Sequence, residues 1–400
     1  MNSLEGRLGA AAAEEWTGQD PLTVERVRER FDSRSGHTIG VGEELMLLDP
    51  DTLELSPSVE LAPEPLGDDG PFDHEVRGGQ VEIATPACGN AIAAAIYLAE
   101  ARLRLSEDLD GHFVIAAAGT HPLSSAGKPA TTRERFQQLA DDHLRAPRGS
   151  APCGLHVHVA VPGADRALAV FDAVRSFLPE LTALAANSPF LNGVDTGLAS
   201  ARSRLALANH RAGVPPPFVT WERFVDFVEW GRRGGLFPDA SHSWWDLRPH
   251  PRYGTLELRA ADAQTRAEDT AAVAAVFQAL VAWLAGRYDD GEELLVHGTS
   301  RIAENVWRAT RDGTRGWMVD LESGEPQETR SRVSRLLEAL EPAAQRQGTA
   351  WALLTAQSLL ADNGAHRQRY VAEEHGVGEL ASWLATETVS SARDYLGQRS

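Results

Sequence analysis

The run Trp244-Trp245-Asp246-Leu247-Arg248-Pro249-His250-Pro251-Arg252-Tyr253-Gly254-Thr255-Leu256-Glu257-Leu258-Arg259 decides how this chain is read. From Thr255 to Arg259 the residues alternate as in a half-buried strand. Leu256 and Leu258 point to one side, and Thr255, Glu257 and Arg259 to the other. A carboxylate and a guanidinium two residues apart therefore project the same way from a rigid element. The first could hold a cation and the second a phosphate or a carboxylate. The plain alternative is a solvated strand with a cross-strand ion pair. The flanking residues argue against it, because two tryptophans, three basic groups and two prolines are an odd composition for a solvated edge.

Working outward, Leu155-His156-Val157-His158-Val159 has the same period and sets His156 and His158 on one face, opposite three apolar residues. Such a pair is a recurrent metal or phosphate arrangement, and is also common as plain structure. His37 to Leu48 predicts a first strand, turned by Asp49-Pro50-Asp51 into a hairpin with Leu53 to Leu55. Gln80 to Thr85 predicts another strand, stopped by Pro86. Asn90 is the expected N-cap of a helix reaching about Asp110, and Phe113 to Ala118 reads as a strand. Further helices are expected over Thr131 to Leu144, Ala164 to Ala186, Ala201 to Ala208, Trp221 to Trp230 and Arg266 to Gly286. Beyond Gly291 only helical periodicity is visible, with a loop at Asp320 to Gln327.

Residues 1–36 read as a weakly docked N-terminal extension, and residues 37–400 as a single domain with a helical C-terminal part. A net charge of −19 argues against nucleic acid or an anionic membrane as partner. Cys88 and Cys153 make neither a disulfide framework nor a CxxC pair. The N-terminus has no signal pattern, and the longest apolar run, Ala271 to Gly286, is broken by Gln278. These features predict a cytoplasmic protein.

Short strands interspersed with helices, without regular βαβ spacing, predict an α+β fold with an antiparallel sheet. With Glu44, Glu82, His156 and Glu257 on one concave face of that sheet, the ligands suit Mg²⁺ or Mn²⁺ rather than Zn²⁺. Arg248 and Arg259 nearby point to nucleotide-dependent phosphoryl transfer.

An ordered series of segments then resembles the bacterial glutamate–cysteine ligase family, in its carboxylate-amine ligase branch. The series runs through I-G-V-G-E-E-L (39–45), Q-V-E-I-A-T-P (80–86), G-T-H-P (119–122), C-G-L-H-V-H-V (153–159) and A-N-S-P-F (186–190). It continues with D-T-G-L-A-S-A-R (195–202), the opening run and E-N-V-W-R-A-T-R-D-G (304–313). The resemblance implies a glutamine synthetase-like catalytic fold and ATP-dependent amide formation through an acyl phosphate. The usual substrates would be the γ-carboxylate of glutamate and an amine, cysteine or another, with ATP and Mg²⁺ or Mn²⁺ as cofactors. A homodimer is compatible with it.

Carried over by motif, Glu44, Glu75 and Glu82 would bind one metal ion, and His156 and Glu257 the ion bridging the ATP phosphates. His158, Arg248 and Arg259 would contact phosphate or acyl phosphate, with Arg248 and Arg259 catalytic. Arg202, Arg308 and Arg311 would bind substrate. The competing readings are phosphoryl transfer to a guanidino-type nitrogen and a nucleotide-binding or regulatory member without turnover. The sequence departs from the family pattern at Gly42, where G-V-E-E-E would place a metal-facing glutamate. It also departs at Leu198 and Ala201, where aromatics are common, and at Asn209-His210, in place of Trp-Pro. Gly42 either deletes a ligand or marks a bulge that turns Glu43 onto the metal face.

Overall fold

The computed structural model describes residues 21–56, 72–74, 79–109, 111–123 and 152–399. In chain order these form α1 (Val24–Asp32), β1 (Ile39–Leu48), β2 (Phe72–His74), β3 (Gln80–Ala84), α2 (Ala91–Asp108), β4 (Val114–Ala116) and β5 (Gly154–Ala160). Then come α3 (Ala164–Val174), α4 (Leu178–Leu184), the small hairpin β6 (Phe190–Leu191) and β7 (Val194–Asp195), α5 (Ala201–Ala206) and α6 (Trp221–Arg233). They are followed by β8 (Leu247–His250), β9 (Thr255–Asp262), α7 (Ala267–Asp289), α8 (Thr299–Asp312) and a second hairpin, β10 (Trp317–Val319) and β11 (Pro326–Glu328). Four helices close the chain: α9 (Thr329–Gln347), α10 (Ala350–Leu359), α11 (Gly364–His375) and α12 (Leu380–Gly397).

The expected α+β architecture forms. The main sheet runs β2-β3-β1-β5-β9-β8, antiparallel throughout, with β4 also paired to β1. One face is apolar: Val41, Leu45, Val81, Ile83, Leu155, Val157, Leu256 and Leu258 are buried there against α2, α3 and α7. Each such side chain contributes roughly 2 kcal/mol by leaving water. The most apolar helix, α7, is long enough to cross a bilayer but lies buried as the central core helix. Gln278, which interrupts its apolar run, is satisfied inside: it accepts from the Ala91 amide and donates to the His37 and Gly89 carbonyls.

Local details follow from particular residues. Asn90 caps α2 by accepting from the Ala93 amide. The helix expected over Ala164 to Ala186 breaks at a 3₁₀ turn, Arg175–Phe177, and restarts with Pro179 in the first turn of α4, where its missing N–H costs nothing. The expected partner strand Leu53 to Leu55 is reduced to one bridge, Leu48 to Leu55. The loop expected at Asp320 to Gln327 supplies the turn of the β10–β11 hairpin, with Pro326 and Gln327 already in β11, and the hairpin is pinned where Asn305 bonds both backbone groups of Val319. The helix expected over Thr131 to Leu144 and residues 1–20 of the extension lie outside the described residues. The described part of the extension is docked rather than loose: Val27 and Phe31 of α1 are fully buried, and Phe31 packs on Trp221 at 5.0 Å between rings.

Strand β8 was not apparent in the sequence because of Pro249. It is an edge strand, where proline is tolerated. Gly254, at φ +57°, turns β8 into β9 and lies against the Arg30 carbonyl of α1, where no Cβ would fit. The β5–β9 ladder contains one irregularity. Val157 pairs with Leu258 but Leu155 pairs with Ala261, so β9 carries one extra residue. At this bulge the amides of Arg259 and Ala260 both donate to the Asp246 carbonyl, at 2.8 and 3.2 Å.

Candidate active site

The second face of the sheet collects the polar residues of five strands. In register, Glu44 on β1 stands opposite Glu82 on β3, and Gly42 opposite His156 on β5. His158 stands opposite Glu257 on β9, and Glu257 opposite Arg248 on β8. Strand alternation puts Glu44, Glu82, His156 and Glu257 in this row, as the sequence predicts, and Arg248 joins it through β8.

His156 lies between two carboxylates. Its Nδ1 is 3.6 Å from Glu82 and its Nε2 3.9 Å from Glu44, and the ring is buried. Neither nitrogen has a hydrogen-bond partner among the described residues. Burial, helped by Arg259, drives its pKa well below the usual histidine value. The ring is thus neutral, with a lone pair available, which is the form that ligates metals. Glu44 also accepts a hydrogen bond from the Gly154 amide. Among the described residues, no group of three or more His, Cys, Asp or Glu side chains is placed to hold a metal ion.

Glu257 is held differently. Both its oxygens accept from arginines: one from Arg248 Nε, the other from Arg248 Nη2 at 3.1 Å and Arg259 Nη1 at 2.6 Å. Burial would raise its pKa, but Arg248, His158 and Arg259 together hold it well below the carboxylate range. Arg259 also lies over the Trp244 ring, 5.5 Å from its centre. His158 shares a hydrogen bond with Thr255 at 3.0 Å and lies 3.8 Å from Glu257, and burial lowers its pKa to about 4. His250 and Tyr253 stack 4.4 Å apart beside it.

The bulge imagined at Gly42 is absent. Both ladders of β1 run through Gly42 without a shift. Glu43 therefore keeps to the apolar face, where its carboxylate is fully buried and takes two bonds from Arg102, at 2.6 and 2.7 Å, and one from Thr270. The bulge is in β9 instead, and it explains a residue that the sequence reading missed. Period-two alternation from Glu257 would send Asp262 into the core, but the extra residue reverses the parity and returns Asp262 to the polar face. There Asp262 accepts from the Asn187 amide at 2.8 Å, Ser188 Oγ at 2.7 Å and Ser200 Oγ at 2.8 Å. The segments 186–190 and 195–202 thus converge on one carboxylate, and Gly119 of the third leaves no room for a Cβ against it.

Arg202, on α5, is brought to the same face. Its guanidinium donates to the Arg259 carbonyl at 3.2 Å and lies 3.9 Å from Asp262. It passes directly over Gly154, where any Cβ would displace it. Arg308 and Arg311 are not part of this row: Arg308 lies over the Trp317 ring at 3.5 Å, and Arg311 pairs with Asp312. Glu75 lies outside the described residues. Cys153 is buried and accepts a hydrogen bond from Gln80.

Solved structures share this fold. The Francisella tularensis glutamate–cysteine ligase, solved in complex with AMP, is 13% identical and superposes with a TM-score of 0.62, covering 91% of this chain and 93% of that one. A bifunctional glutathione synthetase from Pasteurella multocida gives 0.65 at 12% identity, over 92% of this chain and 54% of that one. These likenesses define the fold. The family follows from sequence: residues 38–384 match the model of glutamate-cysteine ligase family 2, and the chain belongs to that family of carbon–nitrogen ligases. A Natronomonas pharaonis glutamate–cysteine ligase is 36% identical over 378 residues, covering 91% of this chain and 99% of the relative. A Rubrobacter xylanophilus protein of the glutamate–cysteine ligase 2 type is 37% identical over 370 residues, covering 90% and 99%.

Proposed function

We propose that this chain is an ATP-dependent carboxylate-amine ligase. ATP would phosphorylate a carboxylate, best taken as the γ-carboxylate of glutamate, and an amine, cysteine or another, would displace the phosphate to form an amide. The observation that carries this reading is the row Glu44, Glu82, His156, Glu257, Arg248 and Arg259 on one sheet face, in a chain of this family.

Residue roles follow from chemistry. His156, Glu44 and Glu82 offer donors whose chemistry suits Mg²⁺ or Mn²⁺: mostly oxygen, with a buried neutral imidazole whose nitrogens have no hydrogen-bond partner among the described residues. Glu75 would join them on the family resemblance alone. Such an ion, when bound, neutralises phosphate charge. Arg248 and Arg259 orient the phosphate that is transferred, and Glu257 holds both guanidiniums in place until a ligand competes for them. As a metal ligand, Glu257 would have to exchange one of these arginine bonds. His158, neutral at pH 7, can donate or accept one hydrogen bond to a phosphate oxygen. Arg202 takes a substrate carboxylate. Arg308 and Arg311 have no part in the chemical step. We read residues 37–400 as one catalytic domain of a cytoplasmic enzyme that acts on small molecules.

A mass-spectrometric screen with ATP, Mg²⁺ and glutamate fixed and the amine varied tests this reading. It predicts an amide product formed together with ADP. ADP release that needs no amine would favour transfer to a guanidino-type nitrogen. Tight nucleotide binding without any product would favour a non-catalytic member.

A further inference from the structure

Asp246 precedes β8 directly and, by alternation, stands on the same side as Arg248 and His250. Its backbone is fixed on three sides. The amide donates to the Gly213 carbonyl at 2.9 Å, and the carbonyl receives both amides of the β9 bulge. Its side chain is left free: the half-buried carboxylate makes no hydrogen bond or ion pair among the described residues. The other described carboxylates of this face are engaged. Glu257 is gripped by two arginines, Asp262 accepts three hydrogen bonds, and Glu44 and Glu82 flank His156.

We propose, resting on the ligase reading, that Asp246 is the proton acceptor for the attacking amine. The charged groups acting on Asp246 are Arg202 from α5 and Arg259 from β9, the partners of a substrate carboxylate and of the acyl phosphate on that reading. On that reading an amine that attacks the acyl carbon comes under the field of both guanidiniums, and it arrives as an ammonium cation. Only an anion offsets that repulsion, and Asp246 is the described carboxylate free to supply it.

In this step the carboxylate takes one proton from the ammonium and leaves a neutral amine. The amine nitrogen forms the bond to the acyl carbon, and the carbon–oxygen bond to phosphate breaks with its electron pair on phosphate. The second amine proton leaves with that phosphate. Burial, which outweighs the pull of Arg202 and Arg259, raises the pKa of Asp246 to about 6. It is therefore ionised at neutral pH yet basic enough to accept a proton. His158, at about 4 and already bonded to Thr255, is the poorer base.

The test compares two nucleophiles on Asp246→Asn, which keeps shape and breaks no described side-chain bond. Cysteine needs deprotonation, whereas hydroxylamine is largely uncharged at neutral pH and needs none. With ATP, Mg²⁺ and glutamate, Asp246→Asn should lose at least ~100-fold in cysteine turnover. The ratio of hydroxamate formation to cysteine product should rise at least ~30-fold over wild type. Equal losses with both nucleophiles, or no loss with cysteine, overturn the proposal while leaving the ligase reading intact. A wild type that makes neither product overturns the ligase reading and the proposal with it.

Discussion

Glu43 and Glu44 are neighbours on one strand, and they end in opposite kinds of site. Glu43, on the helix side, is bonded twice by Arg102 and once by Thr270. Arg102 spends its remaining donors on the Gln264, Thr265 and Thr388 carbonyls. Every group there has its match. One residue on, Glu44 faces an imidazole at 3.9 Å whose two nitrogens bond to nothing described. A saturated buried pair holds a structure together, while a buried imidazole with both nitrogens unsatisfied beside two carboxylates is placed to receive a ligand.

The comparison breaks if the two sites respond alike to mutation. Arg102→Met leaves Glu43 buried without a counter-charge and should cost about 3–5 kcal/mol of stability, read by chemical unfolding. Glu44→Gln should leave the unfolding midpoint unchanged or higher while lowering turnover at least ~100-fold. Activity loss without instability in Arg102→Met, or instability in Glu44→Gln, would erase the distinction.

A smaller effect sharpens it through pH. His158 has a folded pKa of about 4, below its ordinary 6.5, so between those values the unfolded chain binds more protons and acid favours unfolding. Its contribution is fully present above pH 6.5 and is lost as pH falls toward 4, with a slope of up to about 1.4 kcal/mol per pH unit. Asp246 and Asp269, raised to about 6 by burial, act in the opposite sense. The measurement is therefore the difference between His158→Asn and wild type, which should narrow as pH falls across that window. A constant difference would mean that His158 is not buried neutral.

The smallest effect is expected at Gly42, which faces His156 across an unbroken ladder. Gly42→Glu places a carboxylate on the polar face and should lower the metal concentration for half-maximal turnover by about tenfold. A raised requirement would show that Gly42 makes room rather than leaves a gap.

What the sequence made legible was whatever strict alternation encodes. Leu155 to Val159 and Thr255 to Arg259 assigned His156, His158, Glu257 and Arg259 to the polar face correctly. The β9 bulge was invisible because nothing in Arg259-Ala260-Ala261 marks an extra residue. Asp262 was lost with it, since one unpaired residue reverses every later side chain. Arg102 was missed for another reason: on a mostly apolar helix it reads as a surface charge, and only the register of β1 brings Glu43 to it. Strand β8 was hidden by a proline that only an edge position permits.

Whether the His156 set is a ligand site or a structural one is decided most directly by titrating Mn²⁺ into the folded protein. Electron paramagnetic resonance, with a non-hydrolysable ATP analogue present, reads the bound ion. Wild type should bind Mn²⁺, and His156→Asn should bind it at least ~10-fold more weakly with an unchanged unfolding midpoint. Equal Mn²⁺ affinity in the two proteins, or collapse of the fold in His156→Asn, would contradict the account.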